Sequence, residues 1–157
     1  KAAGDALVAT WDRHYIVRTS WVIGDGPNFV RTMVDLARRG VSPTVVDDQF
    51  GRLTFADDLA AAIAHLVRTS AEFGTYNVTN EGPTQSWFNI ASEIFELLGA
   101  EGTVSPTSTE EYGRDKQLAP RPRQSTLDLT CLGRTGLTMP DASQRLHGYV
   151  ARLMAPA

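Results

Sequence analysis

Arg121 stands beside Pro122 at the end of a long, proline-stiffened stretch, where a planar guanidinium can grip a phosphate-type anion through paired hydrogen bonds; Arg123 can take the same role. Asn28 opens a helical pattern. It reads as a helix cap, as a donor to a ligand, or as both, because a helix start attracts phosphate. Gln49 and Arg52 lie in a polar loop after a short strand pattern, which suits ligand contact or a solvated surface. Trp21 follows a strand pattern, and the pattern alone gives it to the core. The adjacent acids Asp47 and Asp48, and the pair Glu110 and Glu111, do not make a metal or acid-base site. Neighbours on a strand point to opposite faces, so these acids read as solvated. His14, His65 and His147 have no ligand spacing and read as structural.

The elements that must position these groups are those of one ordinary domain. With 157 residues and 42% hydrophobic content the chain can bury a sizeable core, which excludes disorder. A net charge of -3, with Lys and Arg scattered, gives no footprint for nucleic acid, so an anionic ligand must be held locally. Cys131 is the single cysteine. It rules out an intrachain disulfide and favours the cytoplasm. No apolar run approaches the roughly 18 residues of a membrane span, and a soluble protein is expected. Lys1 opens directly into an alanine-rich helical stretch with no capping residue, so the chain is expected to be cut from a longer one.

Along the chain, His14 to Ile23 is expected as a buried strand ending at Gly24-Asp25-Gly26-Pro27. A helix from Asn28 carries Phe29, Val30, Met33, Val34 and Ala37 inward and stops at Gly40. Thr44 to Asp48 is a short strand. Thr54-Phe55-Ala56-Asp57 is a capping-box pattern for a second helix, in which Thr54 caps and Asp57 reaches back. Its buried face is expected to be Leu59, Ile63, Leu66 and Val67. Gly74 to Thr79 is a strand, Ser86 to Leu98 an amphipathic helix with Ile90, Ala91, Ile94, Phe95 and Leu98 inward and Gly99 closing it, and Val104 to Gly136 mostly irregular with one or two short elements. Asp141 caps a terminal helix whose stripe is Leu146, Tyr149, Val150, Leu153 and Met154. This alternation argues for an α/β unit with packed helices, and three or four strands of this length could also form a small mixed sheet.

Segments Tyr15 to Val22, Asn28-Phe29-Val30, Val46 to Gly51, Gly74 to Asn80, Ser86-Trp87, Thr109 to Tyr112, and Arg121-Pro122 followed by Ser125 and Leu127 run in register over nearly the whole chain. Together they resemble the dTDP-4-dehydrorhamnose reductase family of extended short-chain dehydrogenases. The resemblance implies an NADPH-dependent reductase of dTDP-4-dehydro-L-rhamnose, with this chain as its carboxyl-terminal, sugar-nucleotide-binding part. Residues 1–157 are then one substrate-binding domain in which 1–24 and 74–80 are remnants of the Rossmann half. Most of that half, with its Gly-rich cofactor fingerprint, is missing.

By the same resemblance Lys1 matches a catalytic and cofactor-binding lysine whose tyrosine partner lies one helical turn earlier, outside this chain. A lysine charge about 4 Å from a phenol, at an effective dielectric of about 20, favours the phenolate by roughly 4 kcal/mol, about three pKa units before desolvation. Thr19 and Ser20 correspond to a segment near the nicotinamide, or serve only neighbouring backbone groups. Trp21 corresponds to a tryptophan set against the deoxysugar. Asn28, Gln49, Arg52 and Arg121 complete the expected substrate contacts, Arg121 on the diphosphate. The family also brings Mg2+ at a subunit contact, for which no residue set in the sequence identifies a site, and a homodimer is compatible with exposed apolar area. Leu53, Gln124, Cys131 and Ala142 depart from the family pattern and leave the sugar and nucleotide less defined. The alternatives are another extended short-chain ketoreductase or epimerase, or a non-catalytic regulatory subunit of the same fold.

Overall fold

Helices and short strands alternate along residues 1–155, which the computed structural model describes; residues 156 and 157 of the expected domain lie outside them. In chain order the elements are α1 (Ala2–Val8), β1 (Tyr15–Arg18), β2 (Val22–Ile23), α2 (Phe29–Arg38), β3 (Thr44–Val46), β4 (Phe50–Gly51), β5 (Thr54–Phe55) and α3 (Ala56–Arg68). There follow β6 (Gly74–Asn77), β7 (Gln85–Ser86), α4 (Trp87–Leu97), β8 (Ser105–Thr107), α5 (Thr109–Gly113), α6 (Thr130–Gly133) and α7 (Ala142–Met154). The mixed α/β class is as expected, but the strands form four two-stranded ladders rather than one sheet. β1 with β6, β2 with β5 and β3 with β8 are parallel, and β4 with β7 is antiparallel.

Two apolar clusters hold these ladders. The larger is built where α2, α4 and α7 turn Val30, Val34, Ile90, Ile94, Leu146 and Val150 toward Ile23 and Phe55. Each such side chain, once fully buried, contributes roughly 1.5–3 kcal/mol. The second lies against the β1–β6 ladder and contains Ala62, Leu66, Tyr76, Val78, Leu132 and Met139.

Local caps follow the sequence. The Asn28 side chain accepts from the Arg31 amide at 3.1 Å, and Asp141 accepts from the Gln144 amide at 3.0 Å. Ser86 and Asn89 form a reciprocal capping box at the start of α4.

Four expectations are corrected. The single strand from His14 to Ile23 is two strands, because Trp21 takes φ 48 and breaks the ladder. Thr54 does not cap α3. It lies in β5, its hydroxyl donates to the Ser20 carbonyl at 2.6 Å, and the Phe55 amide at the helix start is met by Asn80 Oδ1 at 2.8 Å. The buried face of α3 is Leu59, Ala62 and Leu66, whereas Ile63 and Val67 are 43% and 61% exposed. Ala62 takes the inward place beside Leu66, packed in one cluster with Tyr76, Val78, Leu132 and Met139, so the inward stripe is rotated. Met154 is likewise exposed at the end of α7.

Candidate functional site

A groove of about 510 Å³ runs between α2, β3, the first turn of α4 and the segment around α5. Its walls are mainly apolar: Phe29 and Met33 from α2, Trp87 from α4, Tyr112 from α5 and Leu118 beyond it. The polar groups on it are few and include Gln49, Thr109 and Arg121. That balance suits a ligand with a flat or apolar body and a charged extension. A smaller cleft of about 230 Å³ between β2, the start of α3 and α7 mixes Asp25 and Asp57 with Arg145 and Arg152, and the opposed charges offer no net field.

Asp48 builds the polar wall of the groove. Its Oδ1 accepts from the Thr109 amide at 2.9 Å and from the Thr109 hydroxyl at 2.5 Å, and Gln49 Nε2 donates to the same hydroxyl oxygen at 3.0 Å. The Thr109 hydroxyl holds the Asp48 carboxyl below its ordinary range; partial burial opposes this, while the Thr109 amide and Arg123 reinforce it. Asp47 accepts from the Ser86 hydroxyl at 2.5 Å. The reading of Asp47 and Asp48 as solvated acids is therefore refined: both stay partly exposed, and each also accepts from a hydroxyl on a different neighbouring element.

The segment carrying Arg121 returns to the body of the molecule at once. The Phe50 amide donates to the Arg123 carbonyl and the Ser125 amide to the Phe50 carbonyl, both at 2.8 Å. Arg121 is exposed at the groove, so its guanidinium is free for an anion. Arg52 is not brought to the same place. It lines a separate depression with Glu81, Leu127 and Asp128, and its Nε is buried without a hydrogen-bond partner.

At the carboxyl end of β1 the chain turns through Thr19, Ser20 and Trp21. Trp21 holds a left-handed backbone, a conformation that costs of order 1–3 kcal/mol for a side-chain-bearing residue. Its carbonyl accepts from the Thr54 amide at 3.0 Å, and its indole stacks on Trp87 with centroids 3.8 Å apart and planes at 18°. Trp87 in turn meets Phe29 at 4.6 Å, so an aromatic series joins the strand end to the groove. Asn28 is fully committed to the fold: its amide nitrogen faces the carbonyls of Gly24 and Gly26 and the Tyr149 hydroxyl, at 2.8, 3.1 and 2.8 Å. The structure thus places Gln49 and Arg121 on one groove, joins Trp21 to it through Trp87, and leaves Asn28 as scaffold.

Sequence reasoning gave no role to Trp87, Thr109, Tyr112 or Asp48. Ser86-Trp87 and Thr109 to Tyr112 enter only as segments of the family resemblance. The signal available was a large aromatic directly after a helix cap, at the first position of α4, off the inward stripe of Ile90, Ala91 and Ile94.

A nicotinamide cofactor is tested by the donors present. Thr54 spends its hydroxyl proton on Ser20, so the Thr19 hydroxyl donates to Thr54 at 3.2 Å and keeps its lone pairs. Ser20 likewise donates to the Ser125 carbonyl at 3.2 Å. Two hydroxyls left as acceptors at the carboxyl end of a parallel strand fit the amide donors of a carboxamide. Lys1 is exposed at the start of α1, one turn before Asp5, which pairs with Arg18 at 2.8 Å at the end of β1. These residues fit the nicotinamide edge of a cofactor site. Among the described residues no group of three or more His, Cys, Asp or Glu converges. The histidines bond within the fold, His65 to Thr135 at 3.1 Å and His147 to Glu93 at 2.8 Å, with His14 against the Trp11 carbonyl.

The mixed α/β fold with its parallel ladders matches solved structures of the extended short-chain dehydrogenase type. The chain belongs to the RmlD substrate binding domain family, whose model matches residues 1–154. It is 37% identical over 152 residues to the spore coat polysaccharide biosynthesis protein SpsK of Bacillus subtilis, covering 96% of this chain and 52% of that protein. It is 42% identical to a dTDP-4-dehydrorhamnose reductase of Streptomyces griseus, over 82% of this chain and 43% of the relative. Among solved structures, dTDP-4-dehydrorhamnose reductase from Bacillus anthracis in complex with NADP superposes with a TM-score of 0.86 at 38% identity, over 97% of this chain and 53% of that one. The chain thus spans about half the length of the curated relatives it matches. Among the described residues no helix is long and apolar enough to cross a membrane.

Proposed function

We propose that this chain forms the sugar-nucleotide-binding part of an NADPH-dependent reductase that converts dTDP-4-dehydro-L-rhamnose to dTDP-L-rhamnose. The observation that carries the reading is the continuity of the groove with the Trp21–Trp87 stack, with Arg121 among its few polar groups. In this reading the apolar walls from Phe29, Met33 and Tyr112 take the base, and Arg121 holds the diphosphate through paired hydrogen bonds. Gln49 fixes the polar edge. Trp21 offers apolar area and one N–H to the deoxysugar. Arg52 lines a separate depression, where its Nε is unpaired, and takes no part in this placement of the ligand.

NADPH would supply the hydride. The residues of this chain act around it: Thr19 and Ser20 accept from the carboxamide, and Lys1 biases a phenol toward the phenolate so that its proton can pass to the sugar oxygen. In the domain division that goes with this reading, residues 1–24 and 74–80 belong to the cofactor side and the rest to the substrate side. Cytoplasmic location and association as a homodimer complete the proposal.

Isothermal titration with dTDP-L-rhamnose, dTDP and NADPH tests it. Both dTDP ligands bind, and Arg121→Ala weakens each of them roughly tenfold, the loss of a charge-assisted pair. Trp21→Ala weakens dTDP-L-rhamnose more than dTDP. Absence of dTDP binding to the chain and to a longer protein containing it would sink the reading.

A further inference from the structure

Trp21, between β1 and β2, is held by two groups from other elements. Trp87 stacks on it, and Gly51 of β4 comes so close that a Cβ there would sit 2.9 Å from Cε2 and 3.0 Å from both Cδ2 and Cζ2 of the indole. Real side chains do not approach at that distance, so any residue other than glycine at 51 would displace the ring. The indole cannot yield easily: its backbone is already left-handed at φ 48, and Trp87 is braced by Phe29 at 4.6 Å. Gly51 itself is fixed by the β4–β7 ladder, which pairs it with Gln85 immediately before Ser86 and Trp87. One ladder thus sets both the support and the clearance.

We infer that Trp87 and Gly51 are positioning residues for the Trp21 indole, Trp87 by stacking and Gly51 by leaving the space the ring occupies. For function this rests on the sugar-nucleotide reading above: the indole so placed meets the hexose of the ligand. Trp87 also lines the groove, so the same side chain couples the nucleotide end to the sugar end.

The test has a spectroscopic arm and a binding arm. The chain has three tryptophans, and of these Trp21 and Trp87 form the stacked pair. Stacked indoles give an exciton-coupled circular dichroism band. It is expected in the wild type and in Trp11→Phe, absent in Trp87→Leu and Trp21→Leu, and changed in Gly51→Ala. In titration, the extra affinity of dTDP-L-rhamnose over dTDP falls roughly three- to tenfold in Trp87→Leu and Gly51→Ala. It falls no further when either is combined with Trp21→Leu, and Trp87→Phe restores part of it. Melting curves identify a variant that fails to fold, in which case Trp87→Phe and Gly51→Ala carry the test.

A coupled band that survives Trp87→Leu, or a band unchanged in Gly51→Ala, overturns the inference. So does an equal loss of dTDP and dTDP-L-rhamnose affinity in Trp87→Leu. If the band responds as expected while no dTDP ligand binds the wild type, the positioning stands and the sugar-nucleotide reading fails.

Discussion

Asp48 shows how one carboxylate organises a groove wall. It holds the first residue of α5 by two hydrogen bonds, and Gln49 reaches the same threonine. Its folded pKa lies below the ordinary 3.8, so the stability it contributes is complete above that value and is lost as pH falls through the folded pKa. Asp48→Asn should therefore flatten the acid side of the stability curve between about pH 5 and 2. Thermal melts across that range check it, and equal slopes in the two proteins would refute it. Loss of the charged acceptor should also cost about 1–2 kcal/mol near neutrality and raise amide exchange at Thr109. Asp47-Asp48 was legible as a pair of acids facing apart. That each faces a hydroxyl on another element was not, because Thr109 and Ser86 lie far away in sequence.

At the level of elements, the start of α3 illustrates a cap supplied from a distance. Asn80 is fully buried, accepts from the Phe55 amide, and donates to Asp58 at 2.7 Å and to the Pro140 carbonyl at 3.0 Å. Asn80→Ala would strand the buried Phe55 amide, at a cost of about 1–3 kcal/mol, while the Pro140 carbonyl keeps the Glu81 amide at 3.0 Å. Thr54→Val, the change that a local capping box would make damaging to α3, leaves the Phe55 amide bonded. Hydrogen exchange separates the two: Phe55 should lose protection in Asn80→Ala and keep it in Thr54→Val. The caps read correctly from the sequence, Asn28 and Asp141, bond within three residues of themselves. The one misread is a contact between segments that only folding brings together.

Across the whole molecule, two apolar clusters share one short stretch of chain. Phe55 belongs to the larger and Ala62 to the smaller, and the Asp58–Arg145 pair at 2.8 Å ties α3 to α7 between them. Leu146 and Leu66 are both fully buried, one in each cluster. Leu66→Ala and Leu146→Ala should each lower stability by about 2–5 kcal/mol. Because the clusters are joined through α3, each variant should still melt in one transition by far-ultraviolet circular dichroism and by tryptophan fluorescence. Separate transitions by the two probes would show that the clusters fold independently.

The sequence by itself determined the alternation of elements, their stops at Gly40 and Gly99, the inward faces of α2 and α4, and the family. All of these depend on the spacing of apolar residues, on neighbouring caps, or on motifs kept in order. Only the tertiary structure decided which of two stripes of α3 turns inward, that Trp21 breaks a strand to stack on Trp87, that Gly51 must lack a side chain, and that Gln49 and Arg121 share a groove while Arg52 does not. The physical reason is common to these cases. Close packing, hydrogen-bond satisfaction and ring stacking are set by atoms that are neighbours in space, and a one-dimensional pattern carries their chemistry without their partners.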